Sequence, residues 1–462
     1  MFSIPFTLFI LNFQGINASF DKHRVYTPGN VTLGGLFDVH FNGPDDSCGE
    51  LFTMGLGHVE AMLFAIERIN NDSSLLPNIT IGYDIRDYCE NAGVAMAMAY
   101  DLVKSTDPFC QAGKKHSSSH SVVALIGPYD SASGVLVGSL LQVHDIAAIS
   151  PTATSDELSS RMYQHFFRTV PCDTWQAKAM ADIIEHFNWT YVAAVALDDS
   201  YGRHGVWTVE REAYKRRTFC IAFSEFIPRH GYAEKLRQIV FKLKQQRNIG
   251  VVVVWLSGGH GRAFLQETNR QDVNDRTWIF SDAITAEEAV HLDPRFAGLG
   301  GSLGIQLRDY YDQPFDNHLK QMTRKETLKR NLTWWDEFWA QQCNLSLPEC
   351  QESVASYQSI KKIRSSFIPY VLDAVYAAAH AIDNIYKCVE PYGLLPEGKC
   401  PQVLPTIAAR HLRLYLQNVS FDGVTGRVKF DEFGDPEMAS YDIINFQRSH
   451  SGKRYARRGV DI

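Results

Sequence analysis

The chain has no surplus of positive charge: 45 Lys and Arg stand against 52 Asp and Glu, a formal net charge of −7. No basic field exists for nucleic acid or an anionic membrane surface. There is no apolar run near the ~18 residues that cross a bilayer. The longest candidate, IGVVVVWLSG from Ile249, reads as a buried strand by its length and β-branching. By itself the chain is not expected to signal across a membrane. Low-complexity tracts and long linkers are missing, and 45% apolar with 21% charged residues excludes disorder. HExxH and Walker A motifs are absent, and no G-x-S-x-G nucleophile turn stands out. The expectation is no enzyme and no cofactor. Gly258-Gly259-His260-Gly261 lacks the lysine and spacing for phosphate and reads as a turn. Asp198-Asp199 with Glu210 reads as solvated surface, and no metal site is expected.

What is there points to secretion. The segment FSIPFTLFILNF followed by Asn17-Ala18-Ser19 reads as a signal peptide over 1–18, although it lacks a basic start; a short buried strand is the alternative. Seven Asn-x-Ser/Thr sequons follow, at Asn30, Asn71, Asn78, Asn188, Asn331, Asn344 and Asn418. Nine cysteines leave at least one thiol free or paired with another chain. Cys343 with Cys350, and Cys388 with Cys400, are close enough to close small loops in an oxidising compartment.

The 462 residues allow two or three α/β domains. Strand-like runs start at Val122, Ile146, Tyr191, Cys220, Val251 and Trp278. Amphipathic stretches such as VEAMLFAIERIN and AKAMADIIEHF lie between such runs. This alternation predicts parallel sheets covered on both faces, with ligands beyond the carboxyl ends of the strands. The chain is expected to change halves near Phe167–Asp173 and to return near Gly304–Arg308. RKETLKRNLTWWDEFWAQQCN reads as a charged surface helix.

Several strand ends carry polar residues with two readings each. Ser131 opens a helix after VVALIGP and offers an anion site, or it and Ser133 simply cap that helix. Thr152 and Thr154 in ISPTATS offer hydroxyls to a carboxylate or an ammonium, or are ordinary turn residues. Asp173 fits a capping box with Gln176. Tyr201 can cover a cation with its face. Asp282 ends the strand TWIFSD, where it either meets an ammonium or caps the next helix.

LGGLFDVHF, CGELFTMGLGHVEAMLFAIERIN, FFRTVPCDTWQAKAM, NWTYVAAVALDDSYG and VKFDEFGDPEMASYDIINFQ closely resemble the ligand-binding region of metabotropic glutamate receptors. The resemblance covers about residues 30–447; calcium-sensing, taste and pheromone receptors of class C share it less closely. It implies a bilobed, periplasmic-binding-protein-like α/β clamshell: two parallel-sheet lobes joined by a multi-strand hinge. Lobe I would hold 19–167 and 308–427, and lobe II 168–307 and 428–462. It further implies an α-amino-acid clamp, with Ser131 and Thr152 on the carboxylate, Thr154 and Asp282 on the ammonium, and Asp173 and Tyr201 beside them.

The side-chain pocket departs from the glutamate receptors. His58 stands where they carry arginine, Phe367 where they carry lysine, and Glu287 at another position that is often basic. Glutamate would lose its cationic partners, so a neutral, aromatic or basic amino acid is expected, with Glu90 and Met54 nearby. The resemblance pairs Cys48 with Cys89, Cys343 with Cys350 and Cys388 with Cys400, and gives Cys110 an intersubunit role. Cys220 reads as a buried thiol. A homodimer through lobe I is expected, one candidate face being Val135, Leu136, Leu140 and Val143. A G protein would be reached only through a transmembrane domain that this chain does not carry. Two alternatives stay open: a soluble amino-acid-binding protein, and the ectodomain of a guanylate-cyclase or ionotropic receptor.

Overall fold

A computed structural model describes residues 23–43, 47–104, 122–287, 296, 299–328, 330, 332–342, 360–401, 409–448 and 454–461. The expected signal segment, Cys110, the pair Cys343 and Cys350, and the sequons at Asn331 and Asn344 lie outside the described residues.

The chain begins with β1 (Arg24–Thr27), β2 (Val31–Phe37), β3 (His40–Asn42), β4 (Cys48–Leu51), α1 (Thr53–Asn70), β5 (Ile81–Asp87), α2 (Ala92–Val103), β6 (Val122–Ile126), α3 (Ser131–His144), β7 (Ala147–Ser150) and β8 (Phe166–Arg168). Its first sheet has the order β1-β5-β2-β6-β7-β8, parallel except at β1. After β8 come α4 (Asp173–His186), β9 (Tyr191–Leu197), α5 (Ser200–Arg216), β10 (Cys220–Ile227), α6 (Ala233–Gln245), β11 (Val251–Trp255), α7 (Gly258–Arg270), β12 (Thr277–Phe280), α8 (Asp282–Thr285) and β13 (Leu303–Leu307). Then α9 (Gln313–Gln321), α10 (Arg324–Leu328), α11 (Thr333–Gln342), α12 (Ile368–Tyr386), α13 (Ala409–Gln417) and the hairpin β14 (Ser420–Gly423) with β15 (Gly426–Lys429) precede β16 (Tyr441–Arg448) and β17 (Arg454–Asp461). The second sheet has the order β10-β9-β11-β12-β13-β16-β17, antiparallel only at β16 and β17.

The continuous apolar runs follow from burial on both faces. Along β11, Val251, Val253 and Trp255 enter one core while Val252 and Val254 enter the other. Along β2, Leu33 and Phe37 face α1 and α12, and Leu36 faces α2 and α3. Each sheet with its helices is therefore a lobe, and the fold is the two-lobed α/β arrangement expected.

Three segments join the lobes: the one after β8, the one after β13, and the one between β15 and β16. They are tied to one another. Thr169 Oγ1 donates to the Tyr370 carbonyl at 2.8 Å, the Tyr370 hydroxyl reaches the Arg308 carbonyl at 3.4 Å, and Arg308 N donates to the Ser440 carbonyl at 3.2 Å. Arg168, 1% exposed, pairs with Asp435 at 2.6 Å and donates to the Ser155 carbonyl at 2.8 Å.

Several sequence expectations need correction. The Trp-rich stretch is no surface helix: Trp334, Trp335, Phe338 and Trp339 on α11 are buried in the first core, because this run of large apolar side chains joins the cluster that covers the first sheet. Cys220 is exposed, since β10 is the edge strand of its sheet. Gly258–Gly261 opens α7 and is not a free turn. Gly300-Gly301-Ser302-Leu303-Gly304 does match G-x-S-x-G. Ser302 there precedes a strand, is buried, and accepts from Trp278 N at 3.2 Å, so it is no nucleophile elbow. Val428 and Phe430 pack in the first core, so the position expected to end lobe I at 427 falls inside β15.

Candidate functional site

The carboxyl ends of the strands of both sheets meet at one cavity of about 400 Å³. From the first sheet come Asp38 after β2, Glu90 after β5, Tyr129, Asp130 and Ser131 after β6, and Thr152 and Thr154 after β7. Facing them are Asp199 and Tyr201 after β9, Arg229 after β10, Ser257 after β11 and Asp282 after β12. This is where a parallel sheet leaves room for a ligand, and the volume suits a small molecule. The turn that delivers Tyr129 to Ser131 is held at Gly127, whose φ is +107° and whose absent Cβ would stand 2.2 Å from the Leu36 carbonyl oxygen. Only glycine fits there.

On the first side, Asp130 and not Ser131 caps α3, accepting from Ala132 N and Ser133 N at 3.1 Å each. Ser131 Oγ accepts from Ser155 N at 3.1 Å, and its own proton remains for donation. Thr152 Oγ1 donates to the Tyr129 carbonyl at 2.6 Å. Thr154 receives Asp173 N on its carbonyl at 2.8 Å and hydrogen-bonds the Asp173 carboxyl.

On the opposite side, Asp282 Oδ1 accepts from the Tyr201 hydroxyl at 2.6 Å and from Gln176 Nε2 at 3.1 Å, while Asp282 N donates to Gln176 Oε1 at 2.7 Å. Gln176 Nε2 also reaches Asp173 Oδ1 at 3.1 Å. Asp173 is wholly buried just behind the lining residues, at the first helical position of α4, with Cys172 as N-cap. Burial, then the charges of Asp282 and Asp156, push the Asp173 carboxyl well above the carboxylate range. Burial also raises Asp282, against the hydrogen bonds from Tyr201 and Gln176. Two acids sharing one buried glutamine make a place where a cation is welcome. Tyr201 meets Asp282 through its hydroxyl, and its ring packs on Trp255 at 5.8 Å.

The expected pocket residues separate. Glu287 lines the cavity and accepts from Arg262 at 2.8 Å. Phe367 lines it as well, 6.1 Å from the Tyr129 ring. His58 does not: it lies one layer behind, stacked on Tyr129 at 5.3 Å with Nε2 against Ser365 Oγ at 2.9 Å. Burial lowers its pKa to about 3, so it is a neutral wall support. Asp199 is not solvated surface either: it caps α5 at Gly202 N and pairs with Arg229 at 2.8 Å.

Sequence reasoning missed Asp38, Tyr129, Gln176 and Arg229. Arg229 is the strongest omission. It pairs across the cleft with Asp130 at 2.9 Å, and these acids hold its guanidinium charged well above the ordinary range, against the cost of burial. Its signal was the end of the run starting at Cys220, by the same strand-end rule that found Asp282.

Away from the cleft, Cys48–Cys89 and Cys388–Cys400 are disulfides. Cys172 is buried and its thiol is pushed up to about 11, which makes it inert. The sequon asparagines Asn30, Asn71, Asn78, Asn188 and Asn418 are all exposed. On α3, Leu136 and Val143 are exposed while Val135 and Leu140 lean on the core.

Two parallel sheets whose strand ends converge on one interlobe cavity define a two-lobed ligand-binding domain. Residues 58–449 match the family described as "Receptor family ligand binding region", and the chain belongs to that family. It is 30% identical to a metabotropic glutamate receptor of Drosophila melanogaster over 94% of this chain and 51% of the relative. It is also 30% identical to the bovine extracellular calcium-sensing receptor (92% of this chain, 44% of the relative) and 32% identical to metabotropic glutamate receptor 4 of Macaca fascicularis (92% and 49%). These relatives are class C G-protein-coupled receptors, not enzymes. The chain spans about half the length of the curated relatives it matches. Among the described residues no helix is long and apolar enough to cross a membrane.

Proposed function

We propose that this chain is an extracellular receptor module that binds a free α-amino acid between its lobes. One observation carries the reading: Ser131, Thr152 and Thr154 line the same cavity as Tyr201 and Asp282. The Ser131 hydroxyl keeps its proton for a carboxylate, and the Asp282 carboxyl on the other side suits the ammonium on the same carbon. The domain limits expected for the lobes, with the last crossing moved beyond Phe430, give each lobe one half of that clamp.

The ligand is not glutamate. Neither His58 nor Phe367 offers a positive charge to a second carboxylate, and Glu287 and Glu90 would repel one. Ligand contacts on both lobes favour the closed shape. Closure is read out in a homodimer through α3, with Leu136 and Val143 in the contact. The site of action is the cell surface, reached through the secretory pathway, and a G protein is engaged only through a membrane domain outside these residues.

Thermal-shift titration of the purified chain tests the clamp, since a ligand bound only by the native state raises the melting point. At least one free α-amino acid should raise it, and its N-acetyl and α-hydroxy analogues should not. Asp282→Ala should weaken binding by roughly tenfold to a hundredfold, the loss of one charge-assisted bond. Micromolar glutamate binding with silence from all other amino acids would overturn the ligand assignment.

A further inference from the structure

Two carboxylates on the lobe I side of the cleft lack a salt bridge among the described residues, although Glu90 lies in the field of Arg229. Arg229 is already shared between Asp130 and Asp199, and Arg262 serves Glu287. Asp38 and Glu90 form no ion pair among the described residues. Asp38 is 3% exposed, yet it lines the cavity. Its Oδ1 accepts from Glu90 N at 2.7 Å, which fixes the side chain. Glu90 is anchored through the Asn42 backbone and held by the neighbouring left-handed turn, at φ +54°.

Aromatic rings flank this acidic end. Phe41 and Phe52 lie 4.8 Å apart, and Phe52 meets Tyr129 at 5.8 Å. Asp38, Glu90, Glu287 and Asp282 line the same cavity as Tyr129. Burial raises both Asp38 and Glu90 by disfavouring their charged forms, while Arg229 lowers Glu90. A bound cation would reverse that preference. Rings beside carboxylates suit a charged head on an aliphatic stem: the stem lies on the rings, and the head meets the acids.

We propose that Asp38 and Glu90, with the rings of Phe52 and Tyr129, form a side-chain subsite for a cationic amino acid bearing a guanidinium or ammonium head. The inference rests on the α-amino-acid clamp already described and names its ligand class. A buried carboxylate–cation pair in a partly desolvated cleft is worth far more than an exposed one.

The test compares close pairs by calorimetry on the full chain: arginine against citrulline, and lysine against norleucine. Arginine or lysine should bind at least about tenfold tighter than its neutral counterpart, a factor set by about one good ion pair. In Asp38→Asn and, separately, Glu90→Gln, that ratio should fall toward one; circular dichroism confirms that each variant is folded. Equal binding of charged and neutral members overturns the cationic subsite and leaves the clamp standing. A wild-type ratio in both folded variants overturns the assignment of these two residues. Silence from every amino acid overturns the subsite and the clamp together.

Discussion

His58 lies behind the cleft wall with its Nε2 on Ser365, and burial alone lowers its pKa to about 3. In the unfolded chain the same imidazole takes up a proton near pH 6.5. Its folded pKa is therefore depressed. The stability it contributes is full above pH ~6.5 and is lost as pH falls toward about 3, at ~1.4 kcal/mol per unit. In a proton NMR titration its ring signals should stay fixed between pH ~8 and ~5, unlike those of an ordinary histidine. A midpoint near 6.5 would mean that the imidazole is not sealed behind Tyr129. The sequence carried no sign of this, because His58 sits on a helix whose burial depends on Phe367 and Ser365, some 300 positions away. Ser131, Thr152, Thr154 and Asp282 were legible because each lies within a few residues of the end of an apolar strand. Gln176 was legible only as half of a cap. Its bridge to Asp282 links residues 106 positions apart, and no local pattern encodes that.

At the scale of elements, strands were the easiest part to read. Burial on both faces forces apolar side chains at successive positions, so Val122–Ile126 and Val251–Trp255 declare themselves. Helix α11 misled because its charged flanks suggest a solvent face, whereas its Trp and Phe side chains are what the first core takes up. The joining segments were harder still. Residues 431–440 carry no strand or helix pattern, yet Asp435 within them holds Arg168. Because that pair is buried, removing one partner strands a charge. Asp435→Ala should destabilise the chain by about 3–5 kcal/mol, read as a fall in the urea midpoint with little change in slope. A loss below ~1 kcal/mol would show that the pair is solvated and not a clasp between crossings.

For the whole molecule, the cleft is closed by polar contacts at its rim. Ser155 and Ser200 hydroxyls meet at 2.8 Å, Thr208 Oγ1 donates to Asp156 at 2.8 Å, and Arg229 spans Asp130 and Asp199. The Arg229 pairs among these contacts are charged, so closure should respond to ionic strength. Arg229→Ala leaves Asp130 and Asp199 facing each other without a counterion. Small-angle scattering of the unliganded variant should give a larger radius of gyration than wild type, and ligand binding should weaken by about tenfold or more. An unchanged radius and affinity would assign closure to the hydroxyl contacts alone.

The three crossings also bear on how the protein is made. All six strands of the first sheet are translated by Arg168, but the helix α12 that covers them ends only at Tyr386. The second sheet waits longer still, since β13 gains its neighbour β16 only when Tyr441–Arg448 has been synthesised. The first lobe therefore waits for β15 and the second for β16. Each is half-built until then, so chaperones, not the order of synthesis, must guard the open sheet edges meanwhile.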